Sequence, residues 1–198
     1  VLGRIRAFWV VWYPRLQATF APHFDTLPFD TFYGAHNESK PSLIRVEADE
    51  VTYGLHIMLR YRLERALFSG ALAAADLPAA WNSAMEELLG LTPPTDSDGV
   101  LQDIHWSQGY FGYFPTYLLG SIFASQLWIA MQADLPDMHA QIATGDYAAI
   151  LEWMRTTIHQ HGKKFTFEQL VERATGGPLD WQPYMHYLAE KYGAIYGL

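Results

Sequence analysis

The chain has 198 residues, half of them hydrophobic, with 15% aromatic and 17% charged side chains. That length supports one sizeable core within the ordinary range of a single domain, and the aromatic content excludes a disordered chain. A net charge of −8 excludes nucleic acid as an expected partner, because neutralising phosphates needs clustered Lys and Arg. The densest cationic stretch, Arg60, Arg62 and Arg65, is interleaved with Glu64 and reads as a solvated helix face. With no cysteine there is no disulfide framework, which fits a reducing compartment. The opening Val1-Leu2-Gly3-Arg4 lacks the basic-then-apolar layout of a signal peptide, so a cytoplasmic location is expected. A chain that opens on Val in what reads as mid-helix is expected to be a piece of a longer one.

Helical signals dominate from the start. Residues 4–17 carry Phe8, Trp9, Trp12 and Leu16 at helical spacing, which predicts an amphipathic helix. Residues 21–41 are punctuated by Pro22, Pro28, Gly34 and Pro41, leaving room for one short helix over 29–36. A long helix is expected from near Glu47 to Phe68, stopped by Gly70. Asp76 and Pro78 predict the start of a helix over 77–89, which Gly90 ends.

Residues 92–99, with Pro93, Pro94, Asp96 and Asp98, form the clearest loop. From Ile104 to Ala133 there is no Asp, Glu, Lys or Arg, a stretch long enough to cross a bilayer. His105, Gln108, Gln126 and Gln132, with Pro115 and three glycines, argue instead for a turn-rich entry and a buried helix over 116–133. No membrane partner is expected. Three further helices are predicted, over 147–161, over 166–174 and from Asp180 or Pro183 to Tyr192. No alternating strand or repeat is found, so the class is all-α, a single helical domain over 1–198.

The local chemistry is incomplete. There is no H-E-x-x-H, no Glu-x-x-His pair, no G-x-S-x-G, no cysteine nucleophile and no phosphate loop. His159 and His161, two apart on a helix, point to different faces and read as surface residues. His36-Asn37-Glu38-Ser39 reads as a solvated loop. Hence no metal ligand is assigned.

Two segments gather polar groups within apolar surroundings. In Ile44-Arg45-Val46-Glu47-Ala48-Asp49, Arg45 sits in the first turn of the predicted helix, against the helix dipole. Its guanidinium suits a bidentate clamp on a carboxylate, or an internal ion pair with Asp49. In Gly99-Val100-Leu101-Gln102-Asp103-Ile104-His105-Trp106, Asp103 and His105 enter an apolar stretch where unpaired polar groups are costly.

Together, I-R-x-x-A-D followed by G-x-x-Q-D-x-H-W resembles the carboxypeptidase Taq family of thermostable zinc metallocarboxypeptidases. Val51-Thr52-Tyr53-Gly54-Leu55-His56 and Phe111-Gly112-Tyr113-Phe114-Pro115-Thr116-Tyr117 look like that family too, and the resemblance covers nearly the whole chain. It implies a C-terminal, all-helical part of a larger enzyme, with H-E-x-x-H and a further ligand Glu upstream. It also implies zinc in the complete enzyme, with cobalt as an alternative. The partners implied are a peptide with a free C-terminus, the N-terminal portion of the same protein, and a second copy in a homodimer. His105 and Tyr117 become candidate catalytic donors to the scissile bond. Arg45, Gln102, Asp103, Trp106 and Tyr113 become candidate substrate-binding residues. Asp103 or Gln102 is expected to orient the His105 ring, and Tyr110, Tyr113 and Tyr117 to share a face if that stretch is helical. The competing reading is a catalytically inactive helical fragment that serves only as a binding module.

Overall fold

The computed structural model describes residues 1–198, and it contains nine α-helices, five short 3-10 turns and no strand. The chain divides into two compact units, one of Glu38–Gly120 and one of Val1–Asn37 with Ser121–Leu198.

The discontinuous unit holds α1 (Arg6–Thr19), α2 (Phe29–His36), most of α5 (Pro115–Asp134), α6 (Met138–Thr144), α7 (Ala148–Thr157), α8 (Phe167–Thr175) and α9 (Gln182–Tyr196). Its core joins Leu127 and Met131 of α5 to Met138, Ile142, Ile150, Trp153 and Ala174. Helix α6 is absent from the sequence-based expectation. Only seven residues long, it is defined by Met138 and Ile142, one turn apart and both fully buried. Helix α5 is more open than its lack of charge suggests: Leu119 is 37% and Ile129 49% exposed. Its residues Trp128, Ile129 and Gln132 line an open cleft of about 1010 Å³, together with Pro183, Tyr187 and Ile195 of α9. No helix is long and apolar enough to cross a membrane. The expected solvated loop at His36–Ser39 is corrected at Asn37, which is fully buried and donates from Nδ2 to Tyr33 O at 3.0 Å.

The Glu38–Gly120 unit is built on α3 (Tyr53–Phe68) and α4 (Leu77–Leu89). Leu59 and Leu63 of α3 pack on Trp81, Met85 and Leu89 of α4. Helix α4 has the expected ends, and Gly90 closes it at φ +67, a conformation that suits glycine. Helix α3 starts six residues later than expected. The cause is Asp49, whose carboxylate accepts from Val51 N (2.8 Å), Thr52 N (3.0 Å) and Thr52 Oγ1 (2.7 Å). These side-chain bonds hold the backbone in a local turn and delay the helix. Arg45 therefore lies in a separate 3-10 turn, Arg45–Glu47, and not in the first turn of α3.

The cationic stretch is also corrected. Arg62 is exposed and pairs with exposed Glu87, but Arg60 is fully buried and Glu64 is 8% exposed. Arg60 and Glu64, one turn apart, share the face of α3 that carries Leu59 and Leu63 inward, so the charges are divided between core and solvent.

Candidate functional site

Arg60 makes the site possible. Buried with no solvent contact, its guanidinium would be costly without partners, and every nitrogen has one. Nε donates to Asp103 Oδ2 at 2.7 Å, Nη1 to His56 O at 2.8 Å, and Nη2 to Gln102 Oε1 at 2.8 Å. Arg45, 6% exposed, reaches the other oxygen of the same carboxylate: Nε and Nη2 lie 3.1 and 2.8 Å from Asp103 Oδ1. Gln102 completes the joint. Its Oε1 accepts from Arg45 N at 2.9 Å, and its Nε2 donates to Leu43 O and Asp98 O at 3.0 Å. The two motifs thus meet in one node of two guanidiniums on one carboxylate.

The electrostatics follow from that arrangement. Burial alone would raise the Asp103 carboxyl, but the hydrogen bonds and charges of Arg45 and Arg60 hold it below the usual carboxylate range. Burial pushes Arg60 down to about 10 against the pull of Asp103, so it stays cationic at neutral pH. Arg45 does not pair with Asp49, whose carboxylate is taken by Ser39, Lys40 N and the Val51–Thr52 turn. Its fork is occupied by Asp103, and Nη1 points to Tyr53 OH at 3.3 Å.

Beside the node, His105 Nε2 lies 3.0 Å from Tyr117 OH. The two expected donors are therefore bonded to each other. His105 Nδ1 is buried with no hydrogen-bond partner, and neither Asp103 nor Gln102 orients the ring; Phe114 and Tyr113, with centroids 4.4 and 5.7 Å away, flank it instead. Burial, with Arg45 and Arg60, holds the imidazole below its ordinary value despite Asp103, so His105 is neutral at neutral pH. An orphaned N–H is costlier to bury than an orphaned lone pair, which favours the tautomer with the proton on Nε2. In that tautomer His105 donates to the Tyr117 oxygen. The Arg45 guanidinium carbon stands 5.0 Å from the centre of the Tyr117 ring.

Tyr110, Tyr113 and Tyr117 do meet in sequence, with centroids 6.4 and 5.4 Å apart. No helical stripe produces this, because the chain becomes helical only at Pro115. Tyr110 and Tyr113 are about half exposed. Trp106 donates from Nε1 to Glu64 Oε2 at 3.0 Å and packs edge-on against Trp81 and Phe114. Arg60 and Glu64 are the side chains at this site that sequence reasoning missed. Their one-turn spacing was visible, but nothing marked that face of α3 as the inward one.

No three His, Asp or Glu side chains converge anywhere in the chain. Of the two largely buried carboxylates here, Asp103 is consumed by two guanidiniums and Glu64 by the N–H groups of Trp106 and Gly112. These residues do not fit a metal ion.

A helical unit presenting an aromatic wall and a buried Arg–Asp–Arg node is the class that fold and site define. Residues 1–192 match the model of the carboxypeptidase Taq (M32) metallopeptidase family, and the chain belongs to that family. It is 43% identical to carboxypeptidase 1 of Bacillus subtilis and 45% identical to thermostable carboxypeptidase 1 of Thermus thermophilus, over 98% and 100% of its own length. It matches the crystal structure of an M32 carboxypeptidase from Deinococcus radiodurans with a TM-score of 0.96 at 40% identity, covering all of this chain and 40% of that one. The chain spans 39% and 38% of the length of the two curated relatives. The family implies a metal cofactor.

Proposed function

We propose that the protein to which this chain belongs is a metallocarboxypeptidase that releases amino acids from the C-terminus of peptides. In this reading Glu38–Gly120 supplies the substrate-side wall and the metal ligands lie outside the 198 residues. The observation that carries it is the His105–Tyr117 pair standing beside a node with more guanidinium than carboxylate. A hydrolase needs a donor for the oxyanion, and an exopeptidase needs positive charge near the substrate's terminal carboxylate. Tyr117 donates to the developing oxyanion while His105 holds its oxygen. Arg45 supplies the positive charge at the Tyr117 face, with Asp103 and Gln102 fixing it from behind. Tyr113 and Trp106 line the approach.

The metal is zinc in this proposal, replaceable by cobalt. The working protein is a cytoplasmic homodimer in which this chain docks on the remaining, N-terminal portion.

The test is release of C-terminal amino acids by the metal-loaded protein, on peptides ending in a free carboxylate or an amide. Chelator-sensitive release that strongly prefers the free carboxylate is expected, with Tyr117→Phe losing about 10²–10³ in kcat. Equal rates on both peptides would sink the carboxylate assignment. No release by a metal-loaded, full-length protein would favour the inactive binding module instead.

A further inference from the structure

We propose that Glu64 is a positioning residue: one buried carboxylate ties Trp106 to Gly112 within the segment that joins His105 to Tyr117, and so fixes the His105–Tyr117 pair. This rests on the reading of that pair given above.

Glu64 is 8% exposed, yet it meets no cation within ion-pair distance. Its two oxygens are spent separately. Oε2 accepts from the Trp106 indole at 3.0 Å, and Oε1 accepts from the backbone N–H of Gly112. Both donors are neutral N–H groups, and each oxygen of this buried side chain has one of them as its hydrogen-bond partner. If only core volume were needed, an apolar side chain would fill this position without the desolvation cost.

Placement explains the acid. On α3, Arg60 holds Gln102 and Asp103, and one turn on Glu64 holds Trp106 and Gly112. One helix face thus grips a single loop before and after His105, whose own side-chain bond goes to Tyr117 and not to α3, so that it depends on the loop for its position. Gly112 turns the chain at φ +75 just before Tyr113 and Pro115, where α5 begins and carries Tyr117. Glu64 therefore sets the distance between the two members of the pair from within the segment that joins them. Displacements of about 1 Å at such a pair are enough to cost about 10²-fold in rate.

The experiment uses the full-length, metal-loaded protein with Glu64→Gln and Trp106→Phe, alone and together. The carboxamide of Glu64→Gln has one acceptor for two N–H donors, so one end of the clamp is lost without a change of volume. The expected results are a ten- to hundred-fold fall in kcat with KM changed less than threefold, and faster hydrogen exchange at the Gly112 amide. Because both changes act on one clamp, the double variant should lose less than the product of the two single losses. Full kcat in folded Glu64→Gln, or unchanged Gly112 exchange, overturns the proposal. A lower thermal midpoint with unchanged kcat shows a purely structural role and also overturns it. Failure of the underlying reading looks different: His105→Ala and Tyr117→Phe would then turn over normally whatever Glu64→Gln does.

Discussion

At the scale of single residues, Asp103 bears the greatest electrostatic demand in the chain. Its side chain is 10% exposed and carries two guanidiniums that are 8% and 0% exposed. Removing the charge leaves both cations buried and uncompensated. Asp103→Asn is expected to cost about 3–5 kcal/mol in denaturant unfolding, far more than an exposed pair such as Arg62–Glu87, worth under about 1 kcal/mol. His56, fully buried beside Arg60, adds a pH dependence. Burial and the Arg60 charge push it from 6.5 down to about 4. Above pH 6.5 folded and unfolded chains both hold it neutral, and it contributes nothing. Between pH 6.5 and 4 the unfolded chain binds a proton that the folded chain refuses, so stability falls as pH falls, by on the order of 3 kcal/mol in all. Asp103, held low in the folded state, adds a further loss only below its ordinary value of 3.8. Unfolding free energies measured from pH 8 to 3 should show the first decline, and His56→Leu should flatten it; an unchanged slope would exclude His56 as its source.

At the scale of elements, caps and turns decide where helices begin. Helix α8 opens with a full capping box: Thr166 Oγ1 accepts from Gln169 N, and the Gln169 side chain accepts from Thr166 N. Thr166→Ala is expected to cost about 1 kcal/mol, which for a chain of this size lowers the thermal midpoint by roughly 2–4 °C. Asp49 works in the opposite sense on α3, delaying the helix by satisfying backbone donors locally. Helix ends marked by Gly or Pro next to apolar spacing were legible, as at α2 and α4. The start of α3 was not, because an Asp that closes a turn and an Asp that caps a helix look alike in sequence. Helix α6 escaped because seven residues give too few turns to establish a period.

At the scale of the whole molecule, the chain corresponds to about two fifths of its relatives' length and gathers no metal-ligand set of its own. Equilibrium dialysis of the 198-residue chain against zinc should therefore give well under one bound ion per chain, and a chelator should leave its thermal midpoint unchanged. Near-stoichiometric, chelator-sensitive zinc would show a site that the chain's own donors do form.

The sequence by itself determined the all-helical class, the helices with punctuated ends, and the two motifs from which the family could be read. Those features are local: periodicity, breakers and short fixed strings need no knowledge of what lies across the core. Only the tertiary structure decided what the motif residues touch. Asp103 lies 43 residues from Arg60 and 58 from Arg45 along the chain, so neither pairing has a local signal. The same holds for Glu64, which reads as one more charge on a solvated face until packing of α3 against α4 turns that face inward. Burial then makes every polar partner obligatory, and that requirement, invisible in the string of residues, fixes the loop around His105.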